Sequence, residues 1–265
     1  MKEISKHLAR QQAIIALATG ADATPARIPY TPAEHAVWRT ICNALAPLWQ
    51  KHVSREILAA SKRLVLPIDR IPQLTEVTGR LKSLTGFEFR AIGGLAPREE
   101  FFASLARRRF LSTQYIRSGE TPFYTEQPDI VHEVIGHATL LADPNFAELH
   151  RLVGQALVSV KTEQAKQFFA NVWWFSGEFG LVREGGEVRA VGAGLLSSVH
   201  ELQNFQTVEH LPIDPRVMGA TSYDIDHLQP KLFVAESMET FVRVMSEFFR
   251  AVDDDMVSEI MSVCT

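Results

Sequence analysis

The sequence predicts a single, mainly helical domain with minor β structure, in which the helices form a basket rather than flanking a doubly wound sheet. Apolar residues recur at spacings of three and four along most of the 265 residues, which is the pattern of amphipathic helices. Alternating stretches typical of strands are few and short. No Gly/Ser-rich, Pro-rich or low-complexity stretch offers a boundary, so we predict one domain over residues 1–265.

The N-terminal part of the chain is expected to be helical, with one strand. A first helix carries apolar residues up to Leu17 and ends near Gly20. The second has the clearest start, because Thr31 can cap it, Pro32 suits its first turn and Glu34 completes a capping box. Residues 87–92 alternate as a strand does. The helices after the first are expected at about residues 32–51, 55–66, 71–84 and 97–106.

The C-terminal part is expected to add further helices and one hairpin. Residues 181–191 are typical of a hairpin, because Gly185 and Gly186 supply the positive φ of a tight primed turn. The helices are expected at about residues 129–141, 144–160, 162–175 and 237–251, followed by a shorter one ending near Val263.

Composition and charge exclude several classes of function. The net charge is -4, and Arg107-Arg108-Arg109 is the longest basic run, so the footprint of a nucleic-acid-binding protein is missing. No stretch approaches the roughly 20 consecutive apolar residues that a membrane span needs, and the N-terminus does not read as a signal peptide. Cys42 and Cys264 are too far apart for a disulfide framework or a metal knuckle, which fits a reducing cytoplasm.

Residues 128–137 hold two imidazoles and a carboxylate within one expected helix. Zinc proteases place two histidines four residues apart, whereas His132 and His137 are five apart, or roughly 140° around an ideal helix. Both can reach one metal ion only if the helix is locally widened or the ion lies over its flank, and Gly136 would leave room. The alternative is that both rings are ordinary, hydrogen-bonded histidines of the helix surface or core.

A second unusual segment is Trp173-Trp174-Phe175-Ser176-Gly177-Glu178-Phe179-Gly180-Leu181, in which a carboxylate lies among aromatic and apolar residues. A buried, unpaired carboxylate costs several kcal/mol, so Glu178 needs a cation. Two histidines and one carboxylate form the facial triad of non-heme iron(II) oxygenases. The alternative is an ion pair between Glu178 and an arginine.

Several separate segments together carry a pattern found in one family. They are Thr113-Gln114-Tyr115-Ile116-Arg117, Tyr124-Thr125 through Pro128-Asp129, His132-Glu133 with Gly136-His137, Leu141-Ala142-Asp143-Pro144, Glu178-Phe179-Gly180-Leu181, Gly192-Ala193-Gly194-Leu195-Leu196-Ser197-Ser198, and Val234-Ala235-Glu236-Ser237, with Ile71-Pro72-Gln73-Leu74 and Thr85-Gly86-Phe87 before them. Over about residues 28–251 the sequence thereby resembles the pterin-dependent aromatic amino acid hydroxylases, and within them the short bacterial phenylalanine hydroxylases. The resemblance implies the helical basket of that family's catalytic domain.

The resemblance also implies site residues and cofactors. Iron(II), a tetrahydropterin and O₂ would act together, with an aromatic amino acid as the small-molecule partner. The implied iron ligands are His132, His137 and Glu178. The implied pterin contacts are Gly94, Leu95, Ala96, Phe101 and Glu133, and the implied substrate contacts are Arg117, held by Asp129, with Thr125, Trp174, Phe179, Gly194 and Ser197. Glu133 and Ser197 are the candidate catalytic side chains, and Ser197 would also fix the ring of the first histidine.

The implied reaction is hydroxylation of the ring of a free aromatic amino acid, with L-phenylalanine to L-tyrosine favoured. In the family, Trp174 fits phenylalanine or tyrosine enzymes, and an apolar residue at Ile225 marks phenylalanine enzymes. Phe179 and Gly194 favour the para position. Trp173, Val191 and Gln127 depart from the family's usual residues, so tryptophan hydroxylation and meta-hydroxylation of phenylalanine in a specialised pathway stay open. A zinc hydrolase and an inactive binding protein on this fold are the alternatives from other classes.

The family's regulatory domain and its C-terminal tetramerisation helix have no counterpart in the sequence. We therefore expect a monomer or weak dimer in the cytoplasm, without allosteric activation, acting on a small molecule and not on nucleic acid or membrane.

Overall fold

Helices make up most of the protein, as the periodicity predicts. The computed structural model describes residues 2–94, 96–225 and 227–263, so Leu95 and Cys264 lie outside the described residues. The α-helices are α1 (Lys2–Ile15), α2 (Pro32–His52), α3 (Arg55–Leu64), α4 (Leu74–Leu84), α5 (Arg98–Ala106), α6 (Thr139–Leu141), α7 (Pro144–Ala156), α8 (Glu163–Trp173), α9 (Ala193–Ser197), α10 (Val199–Asn204), α11 (Pro215–Ala220), α12 (Met238–Ala251) and α13 (Asp254–Val263).

The β structure is confined to two small sheets. Strand β1 (Glu88–Ala91) pairs in parallel with β2 (Arg109–Ser112). The second sheet has the order β4-β3-β6-β5. Its strands are β3 (Leu181–Glu184), β4 (Glu187–Ala190), β5 (Glu209–Pro212) and β6 (Lys231–Ala235). The β3–β4 pair is antiparallel, whereas β3–β6 and β5–β6 are parallel. Because parallel strands need a long connection, the sheets join distant parts of the chain.

The local signals at turns and caps are confirmed. Thr31 and Glu34 form the capping box at the start of α2, which satisfies two backbone N–H groups that the first helical turn leaves free. Gly185 and Gly186 have φ values of 58° and 86°, as a primed turn between β3 and β4 requires. Helix α3 ends at Leu64 because Val65 adopts a left-handed conformation with φ of 53°.

Two helices are interrupted by wider, π-helical turns. His132–Ala138 and Trp174–Glu178 are both π-helical. The first occupies the middle of the helix expected at residues 129–141, and the second continues α8. π-turns are rare and occur mostly at functional sites. Their presence at both segments that carry candidate ligands therefore supports a functional site at this place.

Close glycine packing holds helix α5 against α7. A Cβ atom on Gly154 of α7 would lie 2.2 Å from the backbone nitrogen of Ala106 at the end of α5. Only glycine allows the two backbones to approach this closely. In the described parts of the chain, no helix is long and apolar enough to cross a membrane.

Candidate active site

The first π-helix brings the two candidate histidines onto one face. The Nε2 atoms of His132 and His137 are 3.1 Å apart, and their rings are nearly perpendicular at 87°. In a π-helix the hydrogen bonds join residues five apart, so a five-residue spacing returns to the same side. The local widening that the spacing demands is therefore present.

Glu178, the last residue of the second π-helix, completes a cluster with the two rings. Its carboxylate oxygens lie 3.6 Å from Nε2 of His132 and 3.1 Å from Nε2 of His137. Two nitrogens that each lie about 2.1 Å from one ion, at right angles, are about 3 Å apart. Within the described ranges this is the one group of three or more such side chains with metal-site spacing, and its residues could hold a metal ion.

The charges of the cluster are those of a cation site. Burial opposes the negative charge on Glu178, but His137 outweighs it and brings the pKa of Glu178 to about 2. Burial also opposes a charge on His137, yet Glu178 raises the pKa of that ring. Burial lowers the pKa of His132 to about 4. The carboxylate of Glu178 therefore favours a positive charge beside it, which either a proton on His137 or a metal cation can supply.

Ser197 fixes the orientation and tautomer of His132. The serine hydroxyl donates its hydrogen to the carbonyl of Ala193 at 2.8 Å, while Nδ1 of His132 lies 3.0 Å from the same oxygen. Because the hydroxyl has one hydrogen, it must accept from the Nδ1–H of His132. Nε2 of His132 then carries the lone pair that a metal needs.

Helix α9, which carries Ser197, packs tightly against both π-helices. A Cβ atom on Gly136 would lie 2.7 Å from the carbonyl oxygen of Ala193. A Cβ atom on Gly192 would lie 2.2 Å from the carbonyl oxygen of Glu178. The two segments that carry the candidate ligands are thus held against one short helix by backbone contact.

Arg117 is held in place by a buried carboxylate, as predicted. Its Nε and Nη2 atoms donate to the two oxygens of Asp129 at 2.9 and 2.8 Å. Asp129 is fully buried, and although burial would raise its pKa, Arg117 holds that pKa below the usual range. The second terminal nitrogen of Arg117 remains free of this pair, and the side chain lines the cavity, so it could bind an anionic group.

One cavity of about 950 Å³ joins the predicted residues. Its wall includes all predicted site residues within the described ranges except Asp129, which lies behind Arg117. These are Gly94, Ala96, Phe101, Arg117, Thr125, His132, Glu133, His137, Trp174, Glu178, Phe179, Gly194 and Ser197. The hydroxyl of Thr125 donates to the carbonyl of Gln127 at 2.6 Å, so this side chain also stabilises its own loop.

Glu133 is a buried carboxyl group at the cavity wall. Its Oε1 accepts from the backbone N–H of Thr113 at 3.2 Å. Burial raises the pKa of Glu133 to about 8, which favours the neutral form. A neutral carboxyl group can donate a hydrogen bond as well as accept one.

Aromatic side chains form another part of the wall. Trp174 stacks on Tyr223 at 4.2 Å with a 9° interplanar angle, and its other neighbour is Phe179 at 4.8 Å. Phe179 in turn lies against Gly194, where a Cβ atom would be 3.0 Å from the ring. Phe101 is held by an edge-to-face contact with Phe110 at 5.4 Å. Flat apolar surfaces of this kind suit aromatic ligands.

Sequence reasoning missed several residues of this region. Tyr223 and Glu201 line the cavity, and burial raises the pKa of Glu201 to about 7. Neither residue lies in one of the recognised motifs, so no local signal marks it. His150 is buried near His137, with ring centroids 6.0 Å apart, although it reads as an ordinary helix residue. Trp173, one of the departures from the family pattern, contacts His150 at 4.9 Å.

Comparison with known proteins agrees with this geometry. Residues 4–259 match the sequence profile of a family described as biopterin-dependent aromatic amino acid hydroxylases. The phenylalanine 3-hydroxylase of Streptomyces coeruleorubidus is 41% identical over 234 residues, covering 88% of this chain and 84% of that protein. The phenylalanine-4-hydroxylase of Caenorhabditis elegans is 40% identical over 221 residues, covering 79% of this chain and 47% of that protein. The chain thus spans about half the length of the latter relative.

A solved structure has the same fold. The crystal structure of phenylalanine hydroxylase from Chromobacterium violaceum with bound Fe(III) superimposes with a TM-score of 0.82 at 27% sequence identity. The match covers 97% of this chain and 92% of that one, so the likeness extends through the whole helical basket.

Proposed function

The chain belongs to the family of biopterin-dependent aromatic amino acid hydroxylases, and from that premise we propose that it hydroxylates the ring of L-phenylalanine with iron(II), a tetrahydropterin and O₂. The observation that carries the proposal is the cluster of His132, His137 and Glu178 at the wall of a cavity that also holds Arg117 and an aromatic surface. Iron(II) and the pterin, when bound, supply the activation of O₂. The protein supplies binding, orientation and a dry pocket.

The three clustered side chains fit an iron(II) ion. Two imidazoles and one carboxylate are the donor set of the facial triad of non-heme iron(II) oxygenases, which would leave room at the ion for O₂ and a further ligand. This donor set also suits zinc, but the fold is that of a hydroxylase that binds iron in its crystal structure. We therefore assign His132, His137 and Glu178 as iron ligands, with Ser197 holding the ring of His132.

The pterin would lie against Phe101 and beside Glu133. Phe101 lines the cavity and is held from one side by Phe110, so one face can stack on a flat heterocycle. The carboxyl group of Glu133 lines the same cavity and would form a hydrogen bond with a pterin atom. Gly94 and Ala96 line the same cavity; Leu95, which we include by resemblance, lies outside the described residues.

The amino acid would be bound at both ends. The free nitrogen of Arg117 would bind the substrate carboxylate, because Asp129 already fixes the guanidinium plane. The substrate ring would lie against Trp174 and Phe179, with Thr125 beside the polar end. Two fixed points orient the ring towards the metal, which is how binding selects one ring carbon.

The ring position has two candidates. We propose para-hydroxylation, because Phe179 and Gly194 match the family's usual residues at the substrate wall, where the two residues are in contact. Meta-hydroxylation is the second candidate, because the Streptomyces relative is a phenylalanine 3-hydroxylase. Identification of the product by NMR separates the two. A monomer or weak dimer remains a prediction, which a stable tetramer in light scattering would contradict.

Replacing Arg117 by lysine is expected to raise the KM for phenylalanine about 10- to 100-fold, with a much smaller change in kcat. Lysine keeps the positive charge beside Asp129 but cannot bind that carboxylate and the substrate in one plane, and a charged hydrogen bond contributes roughly 1.5–3 kcal/mol. Steady-state kinetics provides the measurement. Arg243→Lys, at an exposed pair with Glu247, is the matched control, and an unchanged KM in Arg117→Lys would remove Arg117 from the substrate site.

Iron(II) affinity is expected to fall as the pH is lowered, by about tenfold for each pH unit once the pH is below the raised pKa of His137. The metal needs the deprotonated ring, so the proton that Glu178 retains on His137 competes with it. The pKa values of about 2 for Glu178 and about 4 for His132 lie below the range in which His137 titrates, because the pKa of His137 is raised from 6.5. One proton is therefore displaced. Anaerobic competition titrations provide the measurement, and a pH-independent affinity would contradict it.

A further inference from the structure

His150 is a buried histidine that the proposed reaction does not use. It lies on α7 and is 1% exposed. Its Nδ1 lies 2.7 Å from the carbonyl oxygen of Phe146. A carbonyl oxygen only accepts, so Nδ1 carries the hydrogen. In the neutral ring the buried Nε2 is then a bare acceptor, and it has no hydrogen-bond partner in the described part of the chain.

His137 has a ring nitrogen that needs a hydrogen-bond acceptor. Its Nε2 faces His132 and Glu178 in the ligand cluster, so in a metal complex Nε2 offers its lone pair and Nδ1 carries the hydrogen. That Nδ1 is also buried and finds no hydrogen-bond acceptor among the described residues. A buried donor without a partner costs about 1–3 kcal/mol, so an acceptor or an ordered water is expected beside it.

The two unsatisfied nitrogens belong to neighbouring rings. The centroids of His137 and His150 are 6.0 Å apart, and the rings are nearly perpendicular at 88°. One nitrogen must donate and the other can only accept, so the pair is complementary. A single buried water, or a small shift of either ring, would join them.

We propose that His150 is a positioning residue for the metal site, whose Nε2 accepts the Nδ1–H of His137 directly or through one buried water. The proposal rests on the proposed role of His137 as a metal ligand. His150 would then fix the tautomer and orientation of the His137 ring, as Ser197 fixes those of the His132 ring. An acceptor at Nδ1–H also makes Nε2 a stronger donor to the metal.

Trp173 keeps His150 in this position. Its indole meets the His150 ring at 4.9 Å and an interplanar angle of 84°. The same indole covers Gly177, where a Cβ atom would lie 2.7 Å from the ring carbons. Trp173 therefore packs between His150 and the turn that carries Glu178, which ties the helix α7 side of the site to the carboxylate ligand.

The test compares two substitutions at position 150 by anaerobic iron(II) titration against a competing chelator. His150→Leu keeps apolar volume but removes the acceptor, and we expect iron(II) to bind about 10- to 100-fold more weakly. His150→Gln retains an oxygen that can accept near the position of Nε2, and we expect affinity within a few-fold of wild type. Thermal unfolding of the metal-free proteins checks that both variants fold.

The outcomes separate this inference from the proposed function. If the wild-type chain binds no iron(II), the metal site itself is wrong. If wild type binds iron(II) and His150→Leu binds it equally well, or if Leu and Gln weaken binding equally, the positioning role is wrong.

A measurement on the wild-type chain decides the case in which His150→Leu does not fold. Nitrogen-15 NMR of the metal-free protein, with labelled histidine, reports which ring nitrogen of His150 carries hydrogen. We expect hydrogen on Nδ1 only, with the Nε2 signal shifted towards that of a hydrogen-bonded acceptor. Hydrogen on Nε2, or an Nε2 signal typical of a free lone pair, would overturn the proposal.

Discussion

Replacing His137 by alanine is expected to lower iron-dependent turnover by a factor on the order of 10⁴ or more. The substitution removes one of three ligands and leaves Glu178 with a single partner ring in the cluster. His132→Ala and Glu178→Ala are expected to have effects of the same size, because the three side chains act as one unit and their losses do not add. The measurement is kcat with phenylalanine, tetrahydropterin and saturating iron(II).

The control for the ligand variants is His7→Ala, in α1 and away from the cavity wall, which is expected to retain full activity. Thermal unfolding of each metal-free variant shows whether the fold survives. Full activity in any one of the three variants would remove that residue from the ligand set.

Gly192→Ala is expected to give the second large effect, on both stability and metal affinity. The added Cβ would lie 2.2 Å from the carbonyl oxygen of Glu178 and 2.5 Å from the backbone nitrogen of Phe179. These are backbone atoms, so relief requires a shift of the segment that carries the carboxylate ligand. We expect the free energy of unfolding to fall by about 2–4 kcal/mol and iron(II) to bind more weakly. Denaturant unfolding and metal titration measure the two effects.

Gly79→Ala is the matched control for this prediction. Gly79 lies inside α4, and a Cβ there would meet nothing within 4 Å. Alanine is favoured over glycine in a helix by about 1 kcal/mol, so this variant is expected to gain stability and retain metal affinity. Equal effects of the two substitutions would show that close packing at Gly192 does not position Glu178.

Residue types and spacing indicate a possible metal cluster because its features depend on local chemistry, whereas the pterin and substrate residues are predicted only from the resemblance to the family. The five-residue spacing of His132 and His137 demands a widened helix if both bind one ion, and the π-helix at His132–Ala138 provides it. The carboxylate of Glu178 within an aromatic run indicates a need for a cation, and the two imidazole rings lie beside it in the structure. Such demands can be read from residue types and spacing without knowledge of the fold.

Other features depend on contacts between distant residues and have no local signal. Strands β2, β5 and β6 have four or five residues each. They lack the alternation that marks β1 and the Gly-Gly turn that marks the hairpin of β3 and β4. Helix α4 begins at Leu74 rather than near Ile71, and Gln73 bonds instead to the backbone of Ile28 at 2.8 and 2.9 Å. The sequence gives His150 no assigned role, and only the folded structure brings it to His137.

The most direct test of the account is product identification after incubation of the purified chain with iron(II), tetrahydropterin and O₂. Phenylalanine, tyrosine and tryptophan are supplied separately, with zinc in place of iron(II) as the parallel control. We predict that phenylalanine is converted to tyrosine with iron(II) and not with zinc, and that pterin is consumed. A chain that binds iron(II) but hydroxylates none of the three amino acids and consumes no pterin would contradict the account.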